Sequence, residues 1–262
     1  MNSVSVAKNV REKAIILTSK NQASHIGSIL SVVDILSVLY SNIVERVGNK
    51  IYDKVVLSKG HAGLGQVLTM AECGLVDQSL VETYYRNEGV VGRYRSRFNG
   101  VEFLSASLGQ GINVGVGFAL AQKIKKENYK TYVIVGNGEC NEGSIYEAIM
   151  FAVQRRINNL IIIVDDNKLQ AMGESDDILK LDLYKIFKAF GACVKKVDGH
   201  DHKELCSKLK NRSKSKPLVV IASTIKGKGV KEMENNNKYH YAFLDDQEVN
   251  KALKNLEKTS EG

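Results

Sequence analysis

Residues 131–170 read TYVIVGNGECNEGSIYEAIMFAVQRRINNLIIIVDDNKLQ, and the fold turns on this stretch. Residues 131–135 are a short apolar, β-branched run, which predicts a strand. Gly136, Asn137 and Gly138 break it. Residues 144–156 have helical spacing, with Ile145, Ala148, Ile149, Ala152 and Val153 on one face. Residues 160–164 are a second apolar run, ended by Asp165, Asp166 and Asn167. A strand, helix and strand of this length predict a parallel pair with a right-handed crossover. Both polar turns then follow the carboxyl ends of strands, the edge where open parallel sheets hold ligands. The expected fold is α/β, a doubly wound, mostly parallel sheet flanked by helices.

The chemistry of the two turns suggests a ligand. Glycines let backbone approach closely, and the following helix offers free N–H groups to an anion. Oxygen ligands stand on both turns, the side chains of Asn137 and Asn167 with backbone carbonyls beyond. A hard cation such as Mg²⁺ takes one or two protein oxygens and fills its shell from phosphate and water. The turns therefore read either as a metal-diphosphate site split across two strand ends or as two ordinary loops rich in turn formers.

The 262 residues suffice for one domain with a substantial core, and no apolar run is expected to span a membrane. The N-terminus MNSVSVAKNVREKA lacks the apolar block of a signal peptide, which points to the cytoplasm. Cys73, Cys140, Cys193 and Cys206 form no CxxC pair and no zinc spacing, so they read as reduced. The net charge of +8 is scattered apart from residues 203–216, where basic and apolar residues alternate as a solvated helix face. No nucleic-acid motif accompanies the charge, whereas a cationic surface draws in phosphorylated substrates.

Outward from the central stretch, residues 6–19 predict a helix, and Ser31 with Asp34 reads as the capped start of another. His25 falls in the loop between them. Residues 53–57 predict a strand, and Ser58-Lys59-Gly60-His61-Ala62 turns into a helix ending near Cys73. Asp77 caps a further helix. Arg93, Arg95 and Arg97 alternate on one face of an extended segment, suited either to phosphate or to solubility. Gly111, Gly115 and Gly117 space a helix through Gln122 that needs close packing to offset their cost. Beyond Gln170 the expected order is a helix at 181–190, a strand at 192–197, a helix at 201–209 capped by Asp201, and a strand after Pro217. Residues 226–229 read as a flexible basic turn, and 245–262 as an amphipathic helix with a frayed end.

Taken together, GNGECNEGSIYEAIMFA and NNLIIIVDDNKLQAMG resemble the diphosphate-binding domain of transketolases, and more narrowly the separately encoded N-terminal transketolase subunit. The resemblance runs in ordered motifs from His25 to His240. It implies thiamine diphosphate held through Mg²⁺ or Ca²⁺, with Asn137, Asn167 and Leu169 at the metal. Asn137 stands where the family has an aspartate, so weaker metal affinity is expected. The resemblance assigns His25, His61 and His240 to the cofactor and the chemistry, although Ile26 replaces a family proline. It assigns Ala106, Leu108, Gly138, Glu139 and Glu142 to the cofactor region, Glu142 also to the subunit interface. Arg93 falls where the family has a catalytic-site histidine and is the candidate substrate contact.

The family's pyrimidine-binding domain has no counterpart here. The resemblance thus implies a partner chain carrying the pyrimidine and C-terminal domains, in a complex with two of each chain. The implied reaction moves a two-carbon ketol unit from a ketose, expected to be phosphorylated, to an aldose. Two alternatives stay open: another thiamine diphosphate enzyme, resembling 1-deoxyxylulose-phosphate synthase or processing 2-oxo acids, and a non-catalytic relative.

Overall fold

The computed structural model describes residues 1–87, 89, 100–103, 105, 107–211 and 213–258. Arg93 and Ala106 lie outside the described residues, as do Arg95 and Arg97. The helices are α1 (Ser3–Lys20), α2 (Ile26–Val38), α3 (Gly63–Glu72), α4 (Gln78–Glu82), α5 (Gly111–Ile124), α6 (Gly143–Gln154), α7 (Ser175–Ile178), α8 (Leu183–Ala189), α9 (His202–Lys210) and α10 (Asp246–Lys258). A small antiparallel pair, β1 (Arg46–Val47) and β2 (Lys50–Ile51), precedes the main sheet. That sheet contains β3 (Lys54–Leu57), β4 (Thr131–Gly136), β5 (Leu160–Asp166), β6 (Cys193–Asp198) and β7 (Leu218–Ser223) in the order β3-β4-β5-β7-β6, every pair parallel.

The central strands are apolar along their length because both faces are covered. Val133, Val135, Ile162, Val164, Val219 and Ile221 pack with α5, α6 and α8. Their neighbours Tyr132, Ile134, Ile161, Ile163, Val220 and Ala222 pack with α1, α2, α3, α9 and α10 on the opposite face. The chain passes from β4 to β5 and on to the edge strand β6 with its helices on the first face. It then reverses to β7 through α9 on the second. Reversing direction while keeping a right-handed crossover requires this change of face. The register sets Gly136 beside Asp165, and Asp165 beside Ala222, so the polar turns of three strands end at one level.

Several sequence expectations change here. α2 begins at Ile26, not at Ser31, because His25 takes the left-handed conformation (φ 75°) and its carbonyl accepts from Ser28 and Ile29. Ser31 is mid-helix, where its hydroxyl donates to Asp165 at 2.6 Å. Asp34 is no cap. It is buried, receives both terminal nitrogens of Arg11 and meets the rings of His200 and His202. By length and composition residues 26–43 are long and apolar enough to cross a membrane, but most of this stretch is buried inside the fold. Its apolar surface is used by the core. Gly111 and Gly115 do lie where a Cβ would strike Ser58 and Val133, whereas Gly117 faces open space. Asp77 and Asp201 cap α4 and α9 as expected.

Candidate active site

The turns after β3, β4 and β5 meet the start of α2 and residues 226–241 around a cavity of about 520 Å³. Three imidazoles share it. The ring centroids of His25 and His61 are 5.3 Å apart, those of His25 and His240 5.2 Å, and those of His61 and His240 5.9 Å. Tyr241 stacks edge-on against His240 at 4.5 Å. The backbone N–H of His25 donates to the carbonyl of His240 at 3.0 Å, tying loops far apart in sequence. A non-glycine residue held at positive φ is strained, and such strain gathers where function fixes a side chain.

The imidazoles sit among cations. Burial first, then the charges of Lys59 and the neighbouring histidines, hold His61 well below the usual histidine range. Burial and the Lys226 ammonium push His240 down to about 3. Lys226 Nζ donates to His240 Nδ1 at 2.8 Å, which leaves Nε2 as the ring's N–H donor. Lys226 is only 1% exposed, and burial together with the Lys59 charge lowers it to about 8.

Beneath the cavity lies a buried polar floor. Lys59 forms an ion pair with Asp165, and both are essentially without solvent contact. Asp165 also accepts from Ser31 and Thr224, so one carboxylate joins the ends of β3, β5 and β7 to α2. A buried pair holds only with such supplementary donors. Glu139 plays the same part on the other side. It accepts from the Ser58 hydroxyl, from the Gly109 N–H at 2.8 Å and from the Gly136 N–H at 3.1 Å. Burial nevertheless raises its pKa above the usual value.

The oxygens that Asn137, Asn167 and Leu169 offer a cation are neutral. Asn137 is 7% exposed, and its Nδ2 donates to Ser175 Oγ at 2.5 Å, which orients Oδ1 as the remaining acceptor. Asn167 Oδ1 accepts from the Leu169 N–H at 3.1 Å, and its Nδ2 reaches Ser31 Oγ at 3.2 Å. No group of three or more His, Cys, Asp or Glu placed to hold a metal occurs among the described residues. Amide and carbonyl oxygens at Asn137, Asn167 and Leu169 still fit a hard divalent cation that draws its countercharge from a bound phosphate.

The cavity thus gathers His25, His61 and His240 with Asn137, Gly138, Glu139, Glu142, Asn167, Leu169 and the exposed side chain of Leu108. Glu139 lines it with its carboxylate already satisfied by the loops. The sequence marks Lys226 only as part of the run 224–229, which resembles a family landmark, and not as a cavity residue. The expectation of a flexible basic turn at 226–229 is corrected, because Gly227 (φ 82°) donates to the carbonyl of Gly27 and folds Lys226 inward. Nor does the sequence single out the Lys59–Asp165 pair or Gln170, whose Nε2 is buried without a partner. The one signal for Lys226 is the run Thr-Ile-Lys-Gly-Lys-Gly, which puts two cations directly after a buried strand.

A parallel sheet with histidines, lysines and amides converging at its carboxyl edge defines an anion-binding α/β protein. The profile of the transketolase, thiamine diphosphate binding domain family matches residues 3–259, and the chain belongs to that family. It is 36% identical over 259 residues to one chain of the apulose-4-phosphate transketolase of Actinobacillus succinogenes, covering 95% of this chain and 94% of that one. It is 33% identical over 261 residues to 6-deoxy-6-sulfo-D-fructose transketolase subunit SqwG of a Clostridium species, covering 96% and 95%. Among solved structures, the transketolase of Campylobacter jejuni superposes with a TM-score of 0.87 at 28% identity, over 96% of this chain and 42% of the other. The chain therefore spans about two fifths of that transketolase.

Proposed function

We propose that this chain is the diphosphate-binding subunit of a split transketolase, active with a partner chain that carries the pyrimidine-binding domain. It binds thiamine diphosphate with Mg²⁺ or Ca²⁺ and takes part in moving a two-carbon ketol unit from a phosphorylated ketose to an aldose. The observation that carries this reading is the convergence of His25, His61 and His240 on the cavity that Asn137 and Asn167 border. Relatives that are themselves named as transketolase subunits support the division between two chains.

Thiamine diphosphate, when bound, supplies the thiazolium carbon as nucleophile. Asn137, Asn167 and the Leu169 carbonyl would hold the cation. His240, neutral with Nε2 as its donor, is set to give a hydrogen bond to a ligand oxygen. His61, also kept neutral by burial and the charges around it, can hydrogen-bond a ligand oxygen or nitrogen without carrying charge. Exposed Met172 and Tyr241 line the cavity and suit a docking chain that excludes water. We place two copies of each chain in the assembly.

The test is calorimetric titration of thiamine diphosphate with Mg²⁺ into this chain and into its complex with a candidate pyrimidine-domain chain, followed by a screen of ketose donors. Binding in the complex with sugar exchange supports the reading. Carbon dioxide release from a 2-oxo acid, without sugar exchange, would overturn the reaction assigned.

A further inference from the structure

His200 stands outside the cavity, in the turn between β6 and α9, and its ring nitrogens meet two different kinds of group. Nε2 accepts the backbone N–H of Ile225 at 2.9 Å, and Nδ1 lies 2.5 Å from the Asp34 carboxylate. A backbone N–H only donates, so the ring is neutral, with its proton on Nδ1 and given to Asp34. Ile225 opens the turn after β7, and the next residue is Lys226. Lys226 Nζ reaches His240 Nδ1 at 2.8 Å and Asn237 Oδ1 at 3.1 Å. The Gly227 N–H bonds the Gly27 carbonyl at 3.0 Å. One imidazole therefore joins a buried carboxylate on α2 to the backbone that carries Lys226, and through it His240, into the cavity.

The second histidine on Asp34 is placed differently. His202 Nε2 lies 3.0 Å from Asp34 Oδ1, and its Nδ1 lies 2.8 Å from Ser3 Oγ. A hydroxyl donates or accepts, so His202 keeps both partners whether neutral or charged. His200 does not. A proton on its Nε2 would set N–H against N–H and end the bond to Ile225. Solvent has a route to it, because its side chain is 14% exposed and lines a surface groove with Lys196, Asp198, Glu204 and Lys228. The charged and titratable groups around the ring are these four, His202, and Asp34 with its Arg11 partner. Asp198 also accepts the backbone N–H of His200 at 2.8 Å. We propose that His200 is a positioning residue for the cavity: its neutral ring holds the turn at 225–227, and with it Lys226 and His240, and its protonation releases that turn. The inference deepens the thiamine diphosphate reading above, but its first test is independent of any ligand.

That test follows amide hydrogen exchange at Ile225 and Gly227 in the full chain without ligand, from about pH 8 to about pH 5, the span in which histidines titrate. Protection, corrected for the intrinsic pH dependence of exchange, is expected to fall about tenfold at both amides on acidification, the size of one hydrogen bond. Ring nitrogen resonances of wild type should report the Nδ1–H tautomer at neutral pH and titrate together with that fall. His200→Gln offers a donor and an acceptor that do not titrate, so it should keep the neutral-pH protection and remove the acid fall. His200→Leu should show low protection at every pH, and His202→Gln should keep the wild-type profile. Thiamine diphosphate titrated with Mg²⁺ at neutral pH, in the complex with the pyrimidine-domain chain, should bind His200→Leu about three- to tenfold more weakly than His200→Gln. An Nε2–H tautomer, protection at Ile225 that is constant with pH, an acid fall that persists in His200→Gln, or equal cofactor affinity in the two variants overturns the inference. Failure of thiamine diphosphate to bind even wild type overturns the cofactor reading, and the exchange profiles then decide this one alone.

Discussion

The ammonium of Lys226 sits 2.8 Å from Nδ1 of His240, a lysine donating to an imidazole where a carboxylate would be the ordinary partner. Burial and the Lys59 charge take Lys226 to about 8. Burial and the Lys226 charge take His240 to about 3. Between those values the pair carries a single positive charge, on the lysine.

A pH dependence follows from that. Lys226 has a folded pKa below its ordinary value, so its charge is present below about 8 and is lost as pH rises through about 8. The Lys226 contribution to anion affinity is expected to be constant below neutrality and to fall above about 8. Pyrophosphate titrations across this range check it, and a fall that begins near 10 would show that Lys226 is not depressed.

The same residue should cost stability. Lys226→Met removes a buried ammonium that forms no ion pair among the described residues and keeps most of the side-chain volume. The ligand-free variant is expected to gain about 1–2 kcal/mol while losing anion affinity, the usual exchange between stability and a functional site. Chemical denaturation of wild type and variant without ligand measures the gain.

Asp34 is a structural dependence on charge outside the cavity. Burial raises its pKa, but Arg11, His200 and His202 together hold it well below the usual carboxylate range. Arg11 contacts it at 3.0 and 2.6 Å, and His200 Nε2 accepts the N–H of Ile225 while Nδ1 faces Asp34. Asp34→Asn should destabilise the fold by about 3–5 kcal/mol, because Arg11 is left buried without its counterion. A depressed carboxylate stabilises above its unfolded pKa and loses that contribution as pH falls through the folded value, so the variant should be less acid-sensitive than wild type. Urea unfolding at neutral and acid pH tests both statements.

Glu139→Gln keeps shape but replaces one accepting oxygen by N–H₂, so either the Ser58 and Gly109 donors at Oε1 or the Gly136 donor at Oε2 lose their acceptor. A loss of about 2–4 kcal/mol is expected, from one unsatisfied buried network. Faster amide hydrogen exchange at Gly109 and Gly136 than in wild type would locate the loss at these two loops.

Much of the sheet was legible because strands covered on both faces must be apolar throughout, as residues 131–135, 160–164 and 218–222 are. The turns at Asn137 and Asn167 were legible for the complementary reason, since polar residues at strand ends need a partner. The start of α2 was not, because Ser31 and Asp34 have the spacing of a capping box while their partners, Asp165 and Arg11, come from 134 and 23 residues away. Lys226 was hidden by the glycines that follow it: Lys-Gly-Lys-Gly reads as mobile until Gly227 is known to bond Gly27. Arg93 and Ala106, singled out by resemblance, lie outside the described residues.

α2 has no exposed residue from Ile26 to Val38. One end carries His25 into the cavity, the middle sends Ser31 to Asp165, and Asp34 anchors Arg11 further along. The helix is thus an axle on which the reactive edge and the outer helices are both mounted. Tuning the cavity through it would disturb everything it carries. Divergence in ligand preference among chains built this way should therefore accumulate on the replaceable rim at Ala171, Met172 and Tyr241, and leave the axle alone.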